Sequence, residues 1–142
     1  MRAAIERTGA VTVDRPAAEA FGLFTPEGER SWVPAWDPVY TVGGHPDPAP
    51  GLIFITDTDK EARTWVITRF DPAARRAGYA YFLPGRRAAW IDVMVEPVDA
   101  GASLARVTYR MTAIGPAGDE EVRAFGEGFD AMLEDWRRRI AR

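Results

Sequence analysis

The segment VTVDRPAAEAFGLFTPEGERSWVPAWDP, Val11 to Pro38, constrains the fold more than any other part of this chain. It opens as the end of a strand. Pro16 then fits a first helical position, where its missing N–H costs nothing. Ala17, Ala20, Phe21 and Phe24 recur at helical spacing and give one apolar face. Thr25-Pro26 repeats the start signal: Thr25 can cap and Pro26 can open a short second helix to about Ser31. Trp32 and Trp36 follow in a stretch too rich in proline for regular structure. Two short helices and a stiff aromatic loop after a first strand suit a fold that encloses a cavity.

Ala3 to Val13 reads as that first strand, bent near Gly9, and Val39 to Val42 as a short one. Gly43 to Gly51 is dense in glycine and proline and forms a surface loop. Five more strands are predicted: Leu52–Thr56, Ala62–Phe70, Ala77–Leu83, Ala88–Glu96 and Ser103–Ala113. Short links such as Asp57-Thr58-Asp59-Lys60, Pro84-Gly85 and Asp99-Ala100-Gly101 join them as antiparallel hairpins.

From about Asp119 to Ala141, Val122, Phe125, Phe129, Met132, Leu133, Trp136 and Ile140 fall mostly three and four residues apart. They predict one long amphipathic helix. Acidic residues at its start and arginines at its end complement the helix dipole. At about 1.5 Å per residue it spans roughly 35 Å, enough to lie across a curved sheet.

The length, 142 residues, fits one domain over 1–142. A net charge of −3 argues against a nucleic-acid partner, which needs a clustered positive surface. No stretch approaches the roughly 20 apolar residues of a membrane span, and no signal peptide follows Met1, so the cytoplasm is the expected compartment. The absence of cysteine excludes disulfides and thiolate chemistry.

The pattern V-x-V-x-x-P-A-x-x-A-F-x-L-F-T-P-E-G-E-R-x-W-V-P-x-W-x-P at Val11–Pro38 resembles the START-like SRPBCC superfamily, which includes polyketide cyclase-like proteins. Trp65–Pro72 and Val107–Ala113 resemble its strand motifs. The resemblance implies an α+β helix-grip fold. In it a curved antiparallel sheet of about six to seven strands wraps a long C-terminal helix around an apolar cavity. Such proteins bind lipids or hormones, act as aromatase/cyclases, or activate a heat-shock chaperone. They share no universal catalytic motif, so the resemblance assigns no catalytic residue.

Known catalytic patterns are absent. Ser31 and Ser103 are the two serines and neither lies in a G-x-S-x-G elbow. The single histidine, His45, sits in a solvated loop, and one histidine cannot build a histidine metal centre. Asp57, Asp59 and Glu61 lack the EF-hand glycine and distal glutamate, so they read as a polar turn rather than a calcium site. No phosphate-binding loop is present, and neither metal nor cofactor is expected.

The aromatic residues carry the functional signal. Ligand sites are mainly apolar and aromatic, with a few polar groups. Trp32 and Trp36 are the leading candidates for a cavity entrance, joined by Phe54, Trp65, Phe125, Phe129 and Met132 as lining. Tyr79, Tyr81 and Tyr109 are candidates for polar groups inside. Gly126 falls on the apolar stripe of the helix, where a missing side chain permits close packing or borders the cavity. On the strands, Ile91, Val93, Val95, Val107, Tyr109 and Met111 should face inward, and Asp92, Glu96, Arg106 and Arg110 should form a charge-paired outer face. The inward faces of the 62–70 and 77–83 strands stay ambiguous.

These features favour binding of a small hydrophobic or aromatic, lipid- or polyketide-like molecule. The alternative is a polyketide cyclase or dehydratase that moves protons through Tyr81, Tyr109 or Asp37. A third reading is a chaperone-activator-like interaction module with a filled core. Outward rings such as Trp90 would serve a homodimer.

Overall fold

Alternation of inward apolar and outward polar residues builds the sheet. The computed structural model describes residues 1–58 and 61–142. Its strands are β1 (Ala4–Val13), β2 (Val39–Tyr40), β3 (Ile53–Thr58), β4 (Glu61–Asp71), β5 (Arg76–Leu83), β6 (Arg87–Asp99) and β7 (Ala102–Ala113). Among the described residues they form one antiparallel sheet in the order β1-β7-β6-β5-β4-β3-β2. Of the predicted Asp57–Lys60 turn, Asp59 and Lys60 lie outside the described residues. A register shift between Ile67 and Arg69 in β4 marks a bulge, the kind of irregularity that bends a strand and adds twist.

The face assignments hold. Ile91, Val93, Val95, Val107, Tyr109 and Met111 are buried, while Arg106 and Arg110 are exposed. On the outer face Arg106 Nε lies 3.1 Å from Glu96 Oε1. Tyr79 and Tyr81 face inward from β5, and Phe82 faces outward, its ring edge-on to Trp90 at 6.3 Å.

After β1, α1 (Ala17–Gly22) is a short helix, and the second predicted helix is a single 3-10 turn at Gly28–Ser31. Thr25 Oγ1 accepts the Gly28 N–H at 3.0 Å, as a capping hydroxyl should.

The long helix differs from expectation. It begins earlier, at Pro116, and is divided into α2 (Pro116–Glu127) and α3 (Phe129–Ile140). Gly128, with φ −90° and ψ 4°, leaves the helical range. The Gly128 N–H still reaches the Ala124 carbonyl, and the Met132 N–H the Gly128 carbonyl, each at 3.0 Å. The result is an interruption at a residue with poor helix preference. α3 crosses β1 at Gly9, where a Cβ would lie 2.5 Å from Leu133 Cδ1. Gly9 therefore admits the helix, and β1 runs through it without the predicted bend. At the other end of the helix pair, the Ala3 N–H donates to Asp119 Oδ1 at 2.8 Å and ties β1 to α2.

Candidate functional site

Between the inner sheet face, the segment after the 3-10 turn and α3 lies a cavity of about 330 Å³. Trp65 of β4, Tyr79 of β5, Ile91 and Val93 of β6 and Tyr109 of β7 form its floor. Val33 to Trp36 covers one side, and Trp136 closes another.

Three of the wall rings have their polar atoms tied to the protein. The Trp36 indole N–H donates to the Pro26 carbonyl at 2.8 Å, and that of Trp65 to Thr56 Oγ1 at 3.0 Å. The Tyr79 hydroxyl donates to the Phe24 carbonyl at 2.7 Å. Burial holds that hydroxyl well above the usual phenol range, with the charge of Glu29 adding to the effect. These rings therefore offer mainly carbon surface to a guest. Phe54 stacks on Trp65 with centroids 5.8 Å apart and planes 6° from parallel, fixing the Trp65 face. Within the covering segment Ala35 adopts φ 56°, a left-handed conformation that costs a non-glycine residue about 1 kcal/mol.

Besides Tyr79, three ionisable side chains break the apolar lining: Glu29, Arg63 and Tyr109. Tyr109 makes no side-chain hydrogen bond among the described residues, and burial, then the nearby Tyr81 and Glu29, raise its hydroxyl far above the ordinary phenol range. Arg63 is held at Glu61, 2.8 Å away, and its guanidinium lies 4.7 Å from the centre of the Tyr81 ring. Glu29 projects from the 3-10 turn and makes no side-chain hydrogen bond or ion pair among the described residues. It is half-buried and borders the cavity, and burial pushes its carboxyl up to about 8.

Its neighbour Glu27 is the contrast. Burial works to raise its carboxyl too. The Tyr40 hydroxyl at 2.6 Å, Arg30 Nε at 3.1 Å and His45 at 3.1 Å outweigh that and leave it lowered.

Of the residues expected at the site, Trp36, Phe54, Trp65, Tyr79 and Tyr109 meet in the cavity wall. Trp32 stands behind it, buried between Phe24 at 5.7 Å and Trp136 at 5.4 Å, with its indole N–H on the Leu23 carbonyl. Phe125 and Phe129 back Tyr109 from the helix side, at 4.8 and 5.9 Å, and Met132 packs partly buried against the core. Tyr81 lies behind Trp65 and accepts a hydrogen bond from Arg87 Nε at 3.3 Å. Gly126 faces away from the cavity: a Cβ there would meet Arg7 Nη2 at 3.0 Å and Ile5 Cγ2 at 3.4 Å on β1. Asp37 is on the surface, 2.6 Å from Arg30, and takes no part in the cavity.

Sequence reasoning missed Glu29, Arg63 and Trp136 as site residues. A signal for Glu29 existed. Residues three apart eclipse in a 3-10 turn, so Glu29 shares a side with Trp32, whose ring is buried. Among the described residues no group of three His, Cys, Asp or Glu side chains is placed to hold a metal ion. No described helix is long and apolar enough to cross a membrane.

Comparison with known proteins places the fold. No family model matches the chain, and no curated protein matches it. Solved structures do. The di-domain ARO/CYC BexL superposes with a TM-score of 0.72 at 20% identity, covering 96% of this chain and 46% of that one. The Zhui aromatase/cyclase from a Streptomyces species gives 0.67 at 17% identity, covering 99% and 95%. Norcoclaurine synthase from Thalictrum flavum, in complex with dopamine and hydroxybenzaldehyde, gives 0.66 at 11% identity, covering 96% and 86%. The chain shares the helix-grip fold of these structures.

Proposed function

We propose that this chain binds a small hydrophobic or aromatic molecule in the cavity between the sheet, the 33–36 segment and α3. The observation that carries the reading is a space of about 330 Å³ lined mainly by apolar and aromatic side chains, with the polar atoms of Trp36, Trp65 and Tyr79 already paired within the protein. A guest there exchanges water for carbon surface, which favours binding by roughly 25 cal/mol per Å² of apolar area covered. The fold accommodates small aromatic molecules elsewhere, as in norcoclaurine synthase with dopamine and hydroxybenzaldehyde. The test is titration with the neutral dye N-phenyl-1-naphthylamine. The native chain should enhance its fluorescence, and Val93→Trp, which fills the floor, should weaken binding at least about tenfold. A chain that neither enhances the dye nor releases any small molecule to mass spectrometry refutes the reading.

The second reading is a cyclase- or dehydratase-type enzyme. Glu29 favours it, because a carboxyl raised to about 8 keeps its proton at neutral pH and can deliver it to a substrate in the cavity. Under this reading Glu29 is the proton donor, and Tyr109 orients a polar atom of the substrate.

A further inference from the structure

Glu29 is the unexplained group of the cavity. The turn that carries it is fixed without its side chain. Thr25 caps Gly28, Glu27 takes Arg30, Tyr40 and His45, and Arg30 also reaches Asp37 and the Pro38 carbonyl. The cavity's guanidinium is engaged elsewhere: Arg63 pairs with Glu61, which it shares with Arg86 and Arg87, and rests over Tyr81. A carboxyl is thus left in an aromatic enclosure with no hydrogen bond or ion pair among the described residues.

The guest decides how that group is satisfied. A neutral apolar guest leaves the carboxyl without a partner among the described residues, and an anionic guest opposes its ionisation. An ammonium supplies both a counter-charge and hydrogen-bond donors. Charge-assisted hydrogen bonds of this kind are the strong ones, and the low dielectric of the enclosure strengthens them further. The indoles of Trp36, Trp65 and Trp136 line the same space, and aromatic rings of this kind attract a cation. The paired N–H groups of Trp36 and Trp65 do not compete for Glu29 as donors. The Tyr109 hydroxyl oxygen is a second acceptor in the same wall.

We propose that the cavity takes a guest with a protonated amine on an apolar or aromatic body, the ammonium lying against the Glu29 carboxylate. This rests on the binding reading above and names the chemistry of its ligand. Binding then ionises a carboxyl that is largely protonated in the empty cavity at neutral pH, so a proton leaves for solvent as the amine enters.

The experiment is calorimetric titration at pH 7 with two probes of one skeleton, 2-phenylethylamine and the neutral 2-phenylethanol. The native chain should prefer the amine by about 10- to 100-fold, the equivalent of one charge-assisted hydrogen bond. Repeating the titration in buffers of different ionisation enthalpy should show up to about one proton released on amine binding, and none for the alcohol. Glu29→Gln should abolish the preference, bringing the two affinities within about threefold of each other. The proton count needs no variant, so the test survives a substitution that fails to fold.

Alcohol binding with no amine preference, or a preference that persists in a folded Glu29→Gln chain, overturns this inference and leaves the binding reading standing. Failure of both probes and of the neutral dye overturns both.

Discussion

The Trp36 indole stands edge-on to that of Trp65, with centroids 5.7 Å apart and planes at 73°. Trp32, four positions earlier in the chain, has no share in this contact and packs on Trp136 instead. Two tryptophans on one short segment thus serve different ends. Trp32→Ala should cost about 3–5 kcal/mol, the range for a large buried ring. Trp36→Ala, half-buried, should cost about 2 kcal/mol and weaken N-phenyl-1-naphthylamine binding by about tenfold or more. Urea unfolding and dye titration of both variants check this; equal dye affinity in native and Trp36→Ala chains would remove Trp36 from the site.

Stability should fall as pH rises through the neutral range. The Glu29 carboxyl is raised from 4.5 to about 8 on folding. Between these values the folded chain holds a proton that the unfolded chain has released, so raising the pH favours unfolding. The loss begins near 4.5 and levels off above about 8, amounting to a few kcal/mol. The lowered carboxyls of Glu27, Glu61 and Glu121 act oppositely: their contribution is present above 4.5 and is lost as acid titrates them. Denaturant midpoints across pH should therefore peak near pH 5. Glu29→Gln should flatten the alkaline limb, and an unchanged limb in that variant would show that another group controls it.

Arg87 should be the costliest surface-network residue to lose. It is buried, with Nη1 2.7 Å from Glu121 Oε2, Nη2 3.2 Å from Glu61 Oε1 and Nε on the Tyr81 hydroxyl. Arg86 bridges the same two carboxylates. Removing one member of a buried ionic group strands the others, so Arg87→Ala should lower stability by about 3 kcal/mol. Exposed Arg106→Ala, which breaks only the pair with Glu96, should cost less than about 1 kcal/mol. Parallel thermal melts compare them, and similar shifts for the two variants would refute the distinction.

Two glycines should answer alanine differently. At Gly126 the added methyl meets the far end of Arg7, which can swing aside, so helix preference makes Gly126→Ala neutral or stabilising by up to about 1 kcal/mol. At Gly9 it meets Leu133 and Phe129, which the core holds, so Gly9→Ala should destabilise by about 1–3 kcal/mol. Dye affinity should be unchanged in Gly126→Ala. A loss of affinity there, with stability intact, would return Gly126 to the cavity.

Strands were legible where one face is buried. Ile91, Val93 and Val95 alternate with Asp92, Met94 and Glu96, and only one register keeps the charges in water. β5 was ambiguous because Tyr79, Tyr81 and Phe82 are all aromatic, and what separates them is the neighbour each meets across the sheet. The interruption at Gly128 was hidden because the apolar stripe continues through it: Val122, Phe129 and Leu133 are buried on both sides. Of the site, the rings were readable because large apolar groups seek burial in almost any fold. Glu29 and Arg63 were not. A carboxyl's surroundings depend on segments far away in the chain, and here Tyr79, Tyr109 and Trp136 bring the opposite wall.

Thr8 of β1 and Thr108 of β7 share a hydrogen bond at 3.0 Å across 100 residues of chain. During synthesis the opening strand must therefore wait, with both edges bare, until nearly all the later hairpins have left the ribosome. That delay leaves Ala4–Val13 without its partner longer than any other strand of the sheet.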